Sequence, residues 1–304
     1  MPRVLILLCV FACYAAGTFT SLWAAETFDG WSAPRNPGPP LNTAANDEYA
    51  VLTRDQLTVY FTSDRPFSRG LDLWVATRDS VDSPWKEPEN MGPQVNSESE
   101  DSLPFLSPNE HVLYFHSTRA GGCGNSGDIW MSRRRNRHSQ WERPTNLGCL
   151  LNTAADETAP SLFEDPKTEQ AWLFYASDRT TGGIGDFDVY ASPLRGHGSA
   201  GPGILIPEFS SPQRDTRIFI RKDGLEAFIT SNRGGNLDIW VSTRDTLSEP
   251  WSTPTNLGNP VNSPADDVAP WLSKDGTTLY FSSTRFGGYG RRDIWYTTRA
   301  KLND

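Results

Sequence analysis

Asp267, Arg285 and Asp293 stand in the stretch "DVAPWLSKDGTTLYFSSTRFGGYGRRDIW", two carboxylates with a guanidinium and a glycine-rich loop between them. Three kinds of chemistry use such a set. Two carboxylates about 5–10 Å apart over an open channel can cleave a glycosidic bond. A ring of carboxylates can hold a hard cation such as calcium through oxygen. A planar guanidinium between acids can simply fasten chain segments together. The trio recurs as Asp47, Arg65 and Asp72; Asp101, Arg119 and Asp128; Glu157, Arg179 and Asp188; and Asp215, Arg233 and Asp238. A catalytic set needs to occur once and a fastener in every copy, so all five trios read as structural ion pairs.

The elements that must position these groups are repeats. "DEYAVLTRDQLTVYFTSDR", "DSLPFLSPNEHVLYFHSTR", "DTRIFIRKDGLEAFITSNR" and their two companions align at near-equal intervals, which is the mark of a stacked or circular array. Each copy carries a first strand a, a turn such as "KDG", a strand b ending in Arg, and a strand c opening with Asp72-Leu73-Trp74 or its equivalent. A strand d follows as Trp-x-x-Pro-x-Asn at Trp31, Trp85, Trp141 and Trp251. One d segment precedes the first a strand, and the last c strand has none after it. The spacing therefore predicts an all-β, five-bladed propeller of four antiparallel strands per blade, closed when the N-terminal strand completes the last blade. The aromatic residues Trp74, Trp130, Tyr190, Trp240 and Trp295 are expected to pack between blades.

"SKDGTTLYFSSTRFGGYGRRDIW" resembles the WD40-like β-propeller repeat of the TolB type in its Ser-x-Asp-Gly turn, its Ser-x-Arg strand end and its Gly-Gly-x-Gly loop before Asp-Ile-Trp. The resemblance covers all five blades. It departs in the third, which inserts "PKTEQ", and in the fourth, which is entered through "EFSSPQRD". TolB itself has a further α/β domain and six blades, for which this chain has no room. The resemblance implies a non-enzymatic module that binds a protein or peptide, in the manner of an envelope platform. The alternative is a carbohydrate-active enzyme or glycan-binding propeller using the channel-mouth carboxylates Asp47, Asp101, Glu157, Asp215 and Asp267.

Residues 1–25, with Arg3, an apolar run and Ala24-Ala25, read as a signal peptide. The remaining 26–304 form one domain, periplasmic or secreted, with lipid anchoring through Cys13 as the lesser alternative. A net charge of -9 argues against nucleic acid, and no later run is long enough to span a bilayer. No cofactor is indicated, the four histidines show no metal-ligand spacing, and a monomer is expected. Differences between copies are the place to look for function. Cys123 and Cys149 fall on one face and are expected to form a disulfide. Arg214 and Arg217 put cations at an otherwise acidic mouth, where Tyr49 and His116 also stand, so these four are the candidate binding residues.

Overall fold

The computed structural model of the chain describes residues 27–195 and 198–302; the leader read over 1–25, with Cys13, and His197 lie outside them. Five antiparallel sheets are arranged as blades. Their inner strands a are Asp47–Leu52, Asp101–Leu106, Glu157–Glu164, Asp215–Ile220 and Asp267–Leu272. In blades 1 to 4 the sheet order follows the chain from a to d, and blade 5 supplies three strands of its own. Strand b is buried on both faces in every blade because each sheet is sandwiched between two neighbours. That is why "LYF" and "AFIT" read as apolar runs without clean alternation. Tight a–b hairpins need a left-handed residue, supplied by Gly224 (φ 74°) and Gly276 (φ 75°) in the two Asp-Gly copies.

The ring closes as the repeat count predicts. Residues 28–35 run along strand c of blade 5, where Arg35 and Tyr296 exchange backbone hydrogen bonds of 2.8 and 2.9 Å and Ser32 N–H donates to the Thr298 carbonyl at 2.8 Å. Trp31 packs beside Phe281 and Trp295 and meets Phe228 edge to face at 6.4 Å. Each d-strand tryptophan is also covered by the arginine ending its blade's strand c. Arg78 lies 4.4 Å over Trp85, Arg134 4.4 Å over Trp141, Arg244 4.3 Å over Trp251 and Arg299 4.4 Å over Trp31. The Nε–H of each of these arginines donates to an a–b turn carbonyl, so turn, strand c and strand d are tied at one point. Blade 3 lacks the tryptophan, and there Gln170 donates to the carbonyls of Ala171 and Leu194 instead.

Candidate functional site

The ring acids are fasteners. Asp47, Asp101, Glu157, Asp215 and Asp267 have no exposure, and each accepts from its own blade's arginine. The Arg65–Asp47, Arg233–Asp215 and Arg285–Asp267 contacts measure 2.5 Å, and Arg179–Glu157 3.0 Å. The same guanidinium donates to a carbonyl of the preceding d–a connector, that of Leu41, Val95, Leu151, Phe209 or Val261. It also lies against the triplet aromatic, at 5.2 Å for Trp74 and 5.3 Å for Trp295. Such saturated, buried acids cannot share a cation across the channel or reach a sugar. Among the described residues, no group of three or more metal-binding side chains stands together.

The second acids of the trios are held differently from the expected ion pairs. Asp72, Asp128, Asp238 and Asp293 accept from the d-strand amides Asn90, Asn146, Asn256 and Asn36 at 2.7–2.8 Å. Asp188 takes the amides of Ile184 and Gly185. The arginine is already committed to strand a, so the trio is two separate fastenings. Cys123 and Cys149 are joined by a disulfide that staples the b–c loop of blade 2 to the next d–a connector.

Asymmetry enters through a bulge. Tyr49, Leu103, Ala159 and Ala269 take left-handed φ of 52–58° just inside strand a, which costs about 1 kcal/mol for a residue with a side chain. In three blades the bulge N–H is captured by a strand-b hydroxyl of the preceding blade: Ser282 to Tyr49, Thr62 to Leu103 and Thr230 to Ala269, at 2.8–3.0 Å. The equivalent positions in blades 2 and 3 are His116 and Ala176. Ala176 offers no hydroxyl, and blade 4 has no left-handed residue in strand a; its register slips between Asp215 and Arg217. Arg217 in this blade is buried, with Nη2 on the Pro104 carbonyl at 3.2 Å and Nη1 unpaired. Burial brings its guanidinium down to about 10, still cationic at neutral pH.

His116 uses its imidazole where the others place a hydroxyl or methyl. Its Nε2 lies 3.0 Å from Asp156 and its Nδ1 3.2 Å from Ser102, which in turn donates to Glu100 at 3.0 Å. Ser102 is fully buried, so this serine, histidine and aspartate are no nucleophilic triad; they hold Glu100 and Asp156, whose side chains are 40% and 35% exposed, at the mouth. On the other side, Arg292 donates to Glu48 at 2.9 Å, approaches Asp266 at 3.6 Å and reaches the Tyr49 hydroxyl at 3.4 Å. Glu48 is only 6% exposed. Burial pushes its carboxyl above the ordinary glutamate range, Arg292 draws it back only in part, and the charges of Asp64 and Glu100 push it further up. Burial and then Glu48 likewise raise the Tyr49 phenol, which stays protonated.

Of the four candidate binding residues, Tyr49 and His116 are at this mouth, while Arg214 and Arg217 part company. Arg214 turns outward to Asp186 at 3.2 Å and stacks on Phe187 at 4.2 Å, and Arg217 lies buried within. Glu48 and Arg292 were not singled out. A signal existed, because the residue after the ring acid is Glu48, Ser102, Thr158, Thr216 or Val268, and the residue before the strand-c acid is Leu71, Gly127, Phe187, Leu237 or Arg292. Each position carries charge once.

Fold and mouth together define a five-bladed propeller with one polar, acid-rich channel opening. Similar solved structures include glycoside hydrolases. The endo-arabinase of Bacteroides thetaiotaomicron aligns with a TM-score of 0.58 at 16% identity, over 91% of this chain and 99% of that one. A family 117 glycoside hydrolase of Zobellia galactanivorans gives 0.57 at 12%, over 92% of each chain. A thermostable family-43 glycoside hydrolase gives 0.56 at 14%, over 88% and 93%. No family model matches the sequence, and no curated protein matches it. The expectation of a WD40- or TolB-type protein-binding platform is thereby corrected: the ring resembles carbohydrate-active propellers. The motifs behind that expectation are the fasteners within one blade, which govern how a blade folds and carry no information about what its mouth binds.

Proposed function

We propose that the protein is a carbohydrate-active enzyme that binds a glycan at the channel mouth and hydrolyses it there. The observation that carries this reading is Glu48, a buried carboxyl whose proton affinity burial raises, within electrostatic reach of the more exposed carboxylate of Glu100 at the open end of a five-bladed ring. Two carboxyl groups in unlike environments are what acid-base cleavage of a glycosidic bond needs. Glu48 would donate its proton to the glycosidic oxygen as the bond to the anomeric carbon breaks. Glu100 would take a proton from the attacking water. His116 and Ser102 position Glu100, and Arg292 positions Glu48. The ring acids named in the alternative reading take no part, because each is wholly buried and held by neighbouring hydroxyls as well as its arginine, whereas Glu48 has Arg292 as its one side-chain hydrogen-bond partner among the described residues. The signal-peptide reading of residues 1–25 and the Cys123–Cys149 bond favour action outside the cytoplasm.

The test is a panel of arabinose-, xylose- and glucose-based oligosaccharides, neutral and uronate-bearing, with binding and reducing-end release both measured. Release that falls at least about 100-fold in Glu48→Gln, with binding retained, is the expected result. A wild-type protein that neither binds nor cuts any of them, or equal rates in the variant, would overturn the proposal.

A further inference from the structure

The far end of the ring, where the a–b turns meet, holds a separate cavity of about 640 Å3. Its floor is aromatic. Phe219 packs against core side chains on three sides, 6.3 Å from Phe105 and 6.4 Å from Trp271 by ring centroids. Its rim is asymmetric in charge. The residue beginning the a–b turn is Arg54 in blade 1, Pro108 in blade 2, Pro166 in blade 3, Lys222 in blade 4 and Lys274 in blade 5. Blades 4, 5 and 1 are consecutive round the closed ring, so three exposed cations share one arc.

The neighbouring aspartates do not neutralise them. Asp55 accepts from Thr53 at 2.7 Å and from Arg137 at 3.1 Å. Asp223 is held by Arg221 through both oxygens at 2.9 Å. Asp275 takes the Ser273 hydroxyl at 2.5 Å and the Thr277 amide at 3.2 Å. No side-chain ion pair joins Arg54, Lys222 or Lys274 to a described carboxylate, and the positive charges of Arg54 and Lys222 hold the Lys274 ammonium below its ordinary value. In a chain of net charge -9, three cations without a side-chain ion pair, gathered on one arc over an apolar floor and facing acids on the opposite rim, suit a ligand that is anionic at one end and apolar along its body.

We infer that this cavity binds an organic anion, its carboxylate or sulfonate head against Arg54, Lys222 and Lys274 and its flat apolar body on Phe219 and Trp271. Glu164, Asp165 and Glu169 on the opposite rim repel the head and fix its direction. Glu110 is already engaged by Arg137 at 3.1 Å.

The experiment uses 1-anilinonaphthalene-8-sulfonate as probe and uncharged N-phenyl-1-naphthylamine as its counterpart, titrated against the folded protein with dye and tryptophan emission recorded. One saturable sulfonate site is expected. Lys222→Gln/Lys274→Gln should weaken the sulfonate about tenfold while leaving the neutral amine within about twofold. Thermal melting of the double variant checks that it is folded, since both lysines are exposed turn residues. The inference is overturned if the sulfonate does not bind saturably, if wild type binds both probes equally, or if the double variant binds the sulfonate as wild type does. Equal weakening of both probes would also overturn it.

Discussion

Arg292 and Glu48 meet at 2.9 Å across 244 positions of sequence, so the seam where the ring closes runs beneath the mouth. Blade 5 supplies the arginine and blade 1 the acid, and only closure brings them together. Trp31→Ala, which loosens the seam, is expected to lower stability by about 2 kcal/mol through lost apolar burial and the lost Arg299 contact. Urea unfolding measures this. Glycan turnover should fall in the same variant although Trp31 lies outside the mouth.

The arginine fasteners predict a non-additive pair. Arg65→Leu leaves Asp47 buried without its cation and should cost about 3 kcal/mol or more. Adding Asp47→Asn removes the stranded charge, so the double variant should be less destabilised than the sum of the two singles. Chemical denaturation of all four proteins of the cycle checks it.

Glu48 makes stability depend on pH with a definite sign. Its folded-state carboxyl lies above the unfolded value of about 4.3. Below that value both states hold the proton and Glu48 contributes no slope. As pH rises, the unfolded chain releases its proton first, so stability declines through the window up to the folded value. Glu48→Gln should flatten this decline in unfolding measurements made at pH 4, 5, 6 and 7. In the wild type, turnover should fall with rising pH as the proton donor is lost, and Arg292→Gln, which removes the opposing cation, should move that limb to higher pH.

The Cys123–Cys149 bond closes a 26-residue separation on the mouth face. Replacing both with serine should lower stability by about 3 kcal/mol. A thermal melt with and without reductant should show the wild type shifting and the double serine variant not.

What repeats was legible in the sequence. The five blades, the closing strand at Trp31 and the arginine fasteners each rest on residue types that recur in register, and the d-strand rule at Trp85, Trp141 and Trp251 recurs equally plainly. The mouth was harder to read, because its contacts pass from one blade to the next. His116 and Ala176 look like unrelated departures when repeats are aligned; both stand where the other blades place the hydroxyl that captures the bulge N–H of the following blade. Glu48 and Arg292 were visible as lone charges but belong to opposite ends of the chain. The protein-platform reading failed for a related reason, since it drew on residues whose hydrogen-bonding capacity is spent inside a blade.

Phe219, with Phe105 and Trp271 beside it and the buried Arg217 above, corks the axis of the ring. The molecule is thus two cups set base to base and not a tube. A polymer cannot be threaded through it; whatever enters one cup, whether a terminal unit or a protruding branch, must back out by the same opening.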